Sequence, residues 1–361
     1  MAKIALISDV HLGTKQYGIK ERYQDFLDSF RNFGDSVYGV DAVVIGGDLF
    51  DSPRPDAHSV LCAQKVVGNL KRFGCRVLGI DGNHDLASGD WLRAVGVEPF
   101  DDCSLAQVGH AVISGLHYRN GRDLVAEIQR MADAGMKADI LVAHFALAEM
   151  NGGGSADTGV QELSPFLEKM GVKCVMMGHV HIPDHRKWNG VLYMNPGSTE
   201  MKASNEPKEK YYFVVDTETW EVEEKLLETR KVEEVEIASE TDFQMFMERL
   251  TNEAKEAANQ VPPGKRPFYQ VIADDTVDDA FKRLAKVVQE TSSIARIVMR
   301  SNKARDLAPA VDRREAGLAT IQSAIEARFP KDSPEYRLAL ELSAAPMSAD
   351  QICRRVLEGD D

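Results

Sequence analysis

Residues 3–11 read Lys-Ile-Ala-Leu-Ile-Ser-Asp-Val-His, and this stretch indicates the fold. A short apolar run ends in a carboxylate and an imidazole, as expected of a buried strand whose carboxyl end presents functional groups. The pattern recurs through the first two hundred residues, where apolar runs alternate with amphipathic helical stretches. This alternation predicts a layered α/β domain. The predicted strands are residues 4–7, 42–45, 77–80, 140–143, 174–177 and 191–194.

Glycines mark the predicted ends of two helices. The first helix carries Phe26, Leu27 and Phe30 on one face and is predicted to end at Gly34, because glycine is common just past a helix end. A second helix is predicted to end at Gly74 in the same way.

The rest of the chain differs in layout. Strands are predicted at residues 211–215, 232–237, 268–273 and 294–299, with helices near 242–258 and 277–291. Beyond them, three helical patterns follow without a strand. The predicted organisation is therefore a first domain over 1–204, a small α+β domain over 205–305 and a helical tail over 306–361.

Composition limits the classes of protein. The chain has 361 residues, 43% of them hydrophobic, which excludes a largely disordered protein. Its formal net charge is −14 and neither half is basic, so any nucleic-acid binding would need local basic patches, metal ions or a partner. No apolar run is long enough to cross a membrane, and the apolar start is too short for a signal peptide. We therefore expect a cytoplasmic protein.

The cysteines support the same compartment. They are odd in number, scattered and without a Cys-x-x-Cys pair, which argues for a reducing environment and against a disulfide framework or zinc ribbon. They are Cys62, Cys75, Cys103, Cys174 and Cys353.

Metal-binding residue types follow the predicted strands. They are Asp9 and His11, then Asp48, then Asn83, His84 and Asp85, then His144, and finally His179 and His181. Carboxylate, imidazole and amide oxygen together suit divalent metal ions, and two ions can clamp a phosphoryl group. Any one of these residues alone is more often structural, and we interpret His58, His110, His117 and His185 in that way. The complete series predicts a metal site.

The order of these motifs resembles the calcineurin-like metallophosphoesterase superfamily. Within it, the likeness is to the SbcD-type DNA repair nucleases and the related phage recombination endonuclease subunit. Five metal motifs carry the resemblance to the superfamily, and the residues after the first motif and the turn at 195–198 narrow it to the nucleases. The resemblance implies a layered β-sandwich core flanked by helices, followed by a small capping domain and a helical C-terminal tail.

The resemblance also implies roles for individual residues. One metal ion would be bound by Asp9, His11 and His181, the second by Asn83, His144 and His179, with Asp48 bridging both. The implied cofactor is a pair of divalent ions, with Mn²⁺ favoured. His84 would not bind metal but would stabilise the transition state or protonate the leaving oxygen. Asp51 stands where related phosphatases carry an aspartate that orients this histidine, whereas eukaryotic and archaeal nucleases tend to have histidine there.

The implied function is that of a DNA nuclease. It would act as an exonuclease on duplex ends and as an endonuclease on single strands, in recombination or repair, in a bacterial or phage-infected bacterial cell. The implied partner is an ABC-type SbcC-like ATPase that binds the helical tail, in a complex of two nuclease and two ATPase subunits. The nuclease would be a homodimer within it.

A basic run gives modest support for DNA as the substrate. Residues 282–305 hold seven basic residues and one acid. The basic residues are Lys282, Arg283, Lys286, Arg296, Arg300, Lys303 and Arg305. The run is explained equally well if these residues simply lie on a solvent-exposed helix face and strand edge and do not bind DNA. Two other functions remain open: a stand-alone phosphodiesterase or phosphatase acting on small nucleotides or phosphoproteins, and a catalytically idle binding subunit.

Overall fold

The computed structural model describes residues 2–86, 89–101, 104–151, 155–260, 267–274, 280–291 and 294–300. The chain divides into two compact units, Met1–Val298 and Met299–Asp361. The predicted helical tail at 306–361 lies outside the described residues. Within the described ranges, no helix is long and apolar enough to cross a membrane.

Helices and strands alternate as the sequence predicts. The helices are α1 (Lys20–Ser36), α2 (Ala57–Arg72), α3 (Asp90–Val95), α4 (Gly121–Asp133), α5 (Val160–Met170), α6 (Glu240–Gln260) and α7 (Ala280–Thr291). The strands are β1 (Lys3–Ile7), β2 (Ala42–Ile45), β3 (Arg76–Gly79), β4 (Glu98–Pro99), β5 (Leu105–Val108), β6 (Ala111–Leu116), β7 (Ile140–His144), β8 (Cys174–Gly178), β9 (Asp184–Trp188), β10 (Val191–Asn195), β11 (Lys210–Asp216), β12 (Val222–Leu227), β13 (Val232–Ile237), β14 (Phe268–Asp274) and β15 (Ile294–Arg300). Each of the predicted strands is confirmed.

Two six-stranded sheets form the core. The first has the order β12-β11-β1-β2-β3-β4 and the second β5-β6-β7-β8-β10-β9. Strands β1, β2 and β3 run parallel, as do β6, β7, β8 and β10. The mixed α/β fold predicted from the sequence is confirmed.

The sheets are stacked between two layers of helices. Successive side chains of a strand point to opposite faces, so Ala5 and Ile7 of β1 pack against α1 and α2 while Ile4 and Leu6 face the second sheet. The outer face of the second sheet is covered by α4 and α5, with Leu141 as one of its core residues. Both sheets are thus buried on both faces, which explains their continuous apolar runs.

Strands β11 and β12 differ from the prediction. The predicted small second domain, 205–305, includes the strand at residues 211–215. The structure instead pairs β11 antiparallel with β1, and β12 with β11, at the edge of the first sheet. Strand β12 carries Glu223 and Glu224 at this edge. Charged side chains are common on edge strands because they discourage pairing with other chains.

Gly34 does not end its helix, contrary to the prediction. Helix α1 continues to Ser36, and Gly34 is buried within it. A Cβ atom at Gly34 would lie 2.7 Å from Cγ1 of Val66 on α2. Gly34 therefore allows α1 and α2 to pack closely against each other. Gly74, at φ +86°, does follow the end of α2 as predicted.

The remaining elements form a smaller α+β layer. Strands β13, β14 and β15 make a three-stranded sheet, and its core includes Phe243 of α6 and Leu284 of α7. Phe268 of β14 packs with Met201 beside the first sheet. The guanidinium of Arg22 lies 5.1 Å from the centre of the Phe268 ring, so this sheet is anchored to α1.

Candidate metal centre

The predicted ligands converge where the two sheets present their carboxyl ends. Asp9 and His11 follow β1, Asp48 follows β2, Asn83 follows β3, His144 ends β7, and His179 and His181 follow β8. Several of them have left-handed backbone conformations, which non-glycine residues adopt rarely and mostly at functional sites. These are Asp9 (φ 51°), His11 (φ 50°), Asp48 (φ 51°) and His179 (φ 92°).

Glycines allow the motif loops to approach one another closely. A Cβ atom at Gly82 would collide with the carboxylate of Asp48. One at Gly47, whose φ is +103°, would collide with the imidazole of His144. Only glycine at these two positions leaves room for the loops to approach each other this closely.

One half of the site consists of Asp9, His11 and His181. The Nε2 atoms of His11 and His181 lie 3.1 Å apart, and Asp9 Oδ1 is 3.6 Å from His181 Nε2. All three residues offer ligand atoms within 4.8 Å of one another. The structure thus brings together the residues predicted for the first metal ion.

The other half gathers around Asn83. Its Oδ1 atom lies 3.2 Å from Nε2 of His144 and 2.9 Å from Nδ1 of His179. Asp48 Oδ2 is 3.4 Å from Nε2 of His144 and 3.7 Å from Nε2 of His11. Asp48 is therefore within reach of both halves, as the predicted bridging role requires.

Hydrogen bonds fix the orientation of these ligands. Nδ1 of His144 lies 2.8 Å from the carbonyl oxygen of Gly46, so this nitrogen donates and Nε2 is left to face the carboxylates. The backbone N–H of His84 donates to Asp48 Oδ1 at 2.8 Å, and that of His179 donates to Asp9. Each of the two buried carboxylates is thus held by a neighbouring motif.

The electrostatics of the cluster suit cations. Burial lowers the pKa of His144, but the Asp48 and Asp9 carboxylates outweigh this effect and raise the pKa to about 9. Burial raises the pKa of Asp48, but His144 and His11 outweigh it and lower the pKa. Burial lowers the pKa of His11 and of His179. Without a metal ion these carboxylates keep His144 protonated at neutral pH, and a bound cation would displace that proton. Ionised carboxylates, imidazole nitrogens and an amide oxygen form a donor set that fits divalent metal ions.

His181 is supported by a chain of buried polar groups. Its Nδ1 atom lies 2.8 Å from Glu206 Oε1, and Glu206 Oε2 accepts hydrogen bonds at 2.8 Å from both Lys210 Nζ and Ser198 Oγ. Burial raises the pKa of Glu206, but the hydrogen bond from His181 and the charge of Lys210 outweigh it and lower the pKa to about 2. Carboxylates of this kind fix the ring of a metal-binding histidine.

His11 has a similar support, formed by Asp51 and Lys202. Its Nδ1 atom lies 3.2 Å from Asp51 Oδ1, and Lys202 Nζ donates to the same oxygen at 2.7 Å. Burial raises the pKa of Asp51, but hydrogen bonds from His11 and Lys202 outweigh it and lower the pKa to about 2. Asp51 is therefore ionised at neutral pH.

Asp51 contacts His84 differently from the predicted arrangement. The sequence analysis expected its carboxylate to orient His84, yet Asp51 Oδ1 lies 3.9 Å from His84 Nδ1, beyond hydrogen-bond distance. Nδ1 of His84 instead lies 3.3 Å from the carbonyl oxygen of Asp51. The carboxylate is directed to Lys202 and His11, because a cation and an imidazole N–H are the closer donors.

Sequence reasoning missed Lys202 and Glu206. Both lie in the connection between the turn at 195–198 and β11, far along the chain from the ligands that they support. The turn itself was noticed, and Asn195 holds it by donating to the carbonyl oxygens of Val180 and Ile182. Nothing in the local pattern after the turn distinguishes a lysine or a glutamate that reaches the site from one that faces solvent.

The predicted DNA contacts are described only in part. Arg283 forms an ion pair with Glu240 and lies over the ring of Phe243, at 4.5 Å from its centre. Lys286 is exposed on α7. The side chains of Lys282, Arg296 and Arg300, and the whole of Lys303 and Arg305, lie outside the described residues.

Comparisons with known proteins identify relatives. The family model of the calcineurin-like phosphoesterases matches residues 2–183. The DNA double-strand break repair protein Mre11 of Haloferax volcanii is 30% identical over 274 residues, which are 69% of this chain and 58% of that protein. The protein of the same name from Aeropyrum pernix is 30% identical over 224 residues, 55% of this chain and 53% of that protein. The one from Saccharolobus solfataricus is 38% identical over 87 residues, 24% of this chain and 23% of that protein.

Each match covers only part of this chain and only part of the relative. In the two longer matches, the chain spans between half and three fifths of the length of the relative. The family model covers the motifs up to His181 and ends at residue 183, before the turn, Lys202 and Glu206.

Proposed function

The chain belongs to the calcineurin-like phosphoesterase family, and from that premise we propose that it is a metal-dependent DNA nuclease that acts in DNA repair. One observation carries the proposal: Asp9, His11, Asp48, Asn83, His144, His179 and His181 form one cluster at the carboxyl ends of two sheets. The similarity to repair proteins named Mre11 favours DNA over a small nucleotide as the substrate.

The proposed ligands divide into two sets that share Asp48. Asp9, His11 and His181 would hold one divalent ion, and Asn83, His144 and His179 the other. When bound, two such ions supply charge neutralisation at the phosphate and activation of the attacking water. Mn²⁺ is our choice of ion, because the mixed oxygen and imidazole donors suit it.

His84 is the proposed proton donor. Its side chain is 40% exposed, while those of the neighbouring ligands His11 and His144 are fully buried. Since its Nδ1 donates to the carbonyl of Asp51, Nε2 remains for the substrate. In the imidazolium form both ring nitrogens carry a proton. His84 would then transfer the Nε2 proton to the leaving oxygen as the phosphodiester bond breaks, and keep the Nδ1 proton on the Asp51 carbonyl.

The rest of the chain is assigned to DNA and partner binding. We assign the small α+β layer to capping the DNA path, with the basic run 282–305 contacting phosphates. We assign residues 306–361 to an ABC-type SbcC-like ATPase, in a complex of two nuclease and two ATPase subunits in the cytoplasm. An acidic nuclease that shares its grip on DNA with a partner fits the net charge of −14.

A comparison of two substrates tests the function. The purified chain would be incubated with Mn²⁺ and either linear plasmid DNA or a chromogenic phosphodiester, with the Asp48→Ala variant as the control for contaminating nucleases. Release of nucleotides from the plasmid by the parent and not by the variant supports a DNA nuclease. Hydrolysis of the chromogenic diester without any cleavage of linear or single-stranded DNA would reject it in favour of a small-substrate phosphodiesterase.

A further inference from the structure

Lys202 is held at the rim of the metal centre by its own backbone. Its N–H donates to Glu206 Oε2 at 3.1 Å, and its carbonyl oxygen accepts from Gln16 Nε2 at 2.6 Å. With both main-chain groups fixed, the side chain is directed towards Asp51 and His11. The side chain remains 23% exposed, next to Asp51 at 27%. The ammonium group therefore lies in contact with a proposed ligand and also with solvent.

The ammonium group has hydrogen-bonding capacity left over. Nε2 of His11 faces His181 and Asp48, so it is the nitrogen directed at the metal cluster and Nδ1 carries the proton. The 3.0 Å between Lys202 Nζ and His11 Nδ1 is then the separation of two donors that share one acceptor, Asp51 Oδ1. Among the described residues, Asp51 accepts from one of the three N–H groups of the lysine, which leaves capacity for a further acceptor.

The position suits an anion at the metal centre. His84, whose side chain is 40% exposed, lies with its ring centre 4.9 Å from that of His11, and its Nδ1 donates to the backbone carbonyl of Asp51. Lys202 and His84 thus flank Asp51 on the solvent side of the buried ligands. A lysine ammonium acts as a compact point charge towards phosphate oxygens.

We propose that Lys202 binds the phosphate of the substrate at the metal centre, with Asp51 holding its ammonium group in place. The inference deepens the proposed nuclease function, on which it rests for the nature of the anion, a phosphodiester. Lys202 is then a substrate-binding residue, and Asp51 a positioning residue that acts through it.

Inorganic phosphate is the probe for the test. Calorimetry would measure the affinity of Mn²⁺ for the protein and then the affinity of phosphate for the Mn²⁺-loaded protein, in the parent, Lys202→Met and Lys202→Arg. Lys169→Met is the matched control, because Lys169 also pairs with an aspartate, Asp133, at 2.7 Å but on the surface of α5.

We expect Lys202→Met to weaken phosphate binding by about 10- to 100-fold, as for a lost hydrogen bond to a charged group. Mn²⁺ affinity should stay as in the parent, Lys202→Arg should restore most of the phosphate affinity, and Lys169→Met should change neither value. Phosphate affinity of Lys202→Met equal to that of the parent would overturn the inference. So would a loss of phosphate binding matched by a loss of Mn²⁺ binding, which would make Lys202 a support for His11 alone.

The proposed nuclease function and the proposed role of Lys202 can be rejected independently of each other. If the parent binds phosphate through Lys202 but cleaves no DNA, the nuclease function is wrong and the inference holds for another phosphodiester. If the parent cleaves DNA while Lys202→Met binds phosphate normally, the inference is wrong and the function holds.

Discussion

Two histidines proposed for the same metal ion are each supported by a carboxylate and a lysine, yet the two supports differ in burial. We call Glu206 and Lys210 the His181 support, and Asp51 and Lys202 the His11 support. The His181 support is buried, with the side chains of Glu206 and Lys210 4% and 1% exposed. In the His11 support, Asp51 and Lys202 are 27% and 23% exposed. The same three chemical groups, an imidazole, a carboxylate and an ammonium, therefore occur in two environments within one site.

The difference indicates two different roles. A buried ion pair needs hydrogen bonds to its charged groups, and Lys210 donates to Glu206 and to the hydroxyl of Ser198. The enclosed support has no access to substrate and can act only by orienting His181. The open support orients His11 and also presents an ammonium group to solvent, so it alone can take part in binding an anion.

Asp48→Ala removes the residue that connects the two halves of the site. We expect loss of both metal ions and a fall in DNA cleavage of about 10⁴-fold or more, as for other residues on which a whole catalytic unit depends. Calorimetric titration with Mn²⁺ and a nuclease assay measure the two effects. Two ions still bound to the variant would show that Asp48 does not bridge.

His84→Gln leaves both supports intact and removes the proposed proton donor. Turnover of DNA should fall by about 10² to 10⁴-fold, the usual contribution of a general acid. Mn²⁺ binding should be unchanged, since His84 contributes no proposed ligand atom. An unchanged turnover number, or weakened metal binding, would contradict this assignment.

Glu206→Gln and Asp51→Asn compare the two supports directly. Each substitution keeps the shape of the side chain and removes its charge. We expect Glu206→Gln to weaken Mn²⁺ binding by about 10- to 100-fold, the range for losing the partner of a metal-binding histidine. Asp51→Asn should have a smaller effect, because solvent screens the more exposed pair. A larger loss of Mn²⁺ affinity in Asp51→Asn would reverse the roles assigned to the two supports.

The sequence predicts the ligands well because each follows its strand directly. His144 is the last residue of β7, and Asp9 and Asp48 come within a few residues of β1 and β2. The carboxyl ends of parallel strands meet at one edge, so local pattern was enough to bring these residues together. Local apolar runs likewise predicted ten of the fifteen described strands.

Long-range pairing and edge strands explain part of what the sequence analysis missed. Strand β6 is different, because it is a buried interior strand of the second sheet and was not predicted either. Strand β11 pairs with β1 across two hundred residues, and no local signal distinguishes this from membership of the next sheet. Strand β9, with the sequence Asp-His-Arg-Lys-Trp, is a polar edge strand without the apolar run that marks a central one. Lys202 and Glu206 reach the site from an irregular connection, where spacing along the chain says nothing about direction.

The central claim is that one cluster of seven side chains holds two divalent ions side by side. Crystals grown with Mn²⁺ and measured near the manganese absorption edge test it most directly. We expect two anomalous peaks, about 3.5–4 Å apart, with Asp48 between them, one beside His11 and His181 and the other beside Asn83, His144 and His179. A single peak, or a peak away from these residues, would contradict the account.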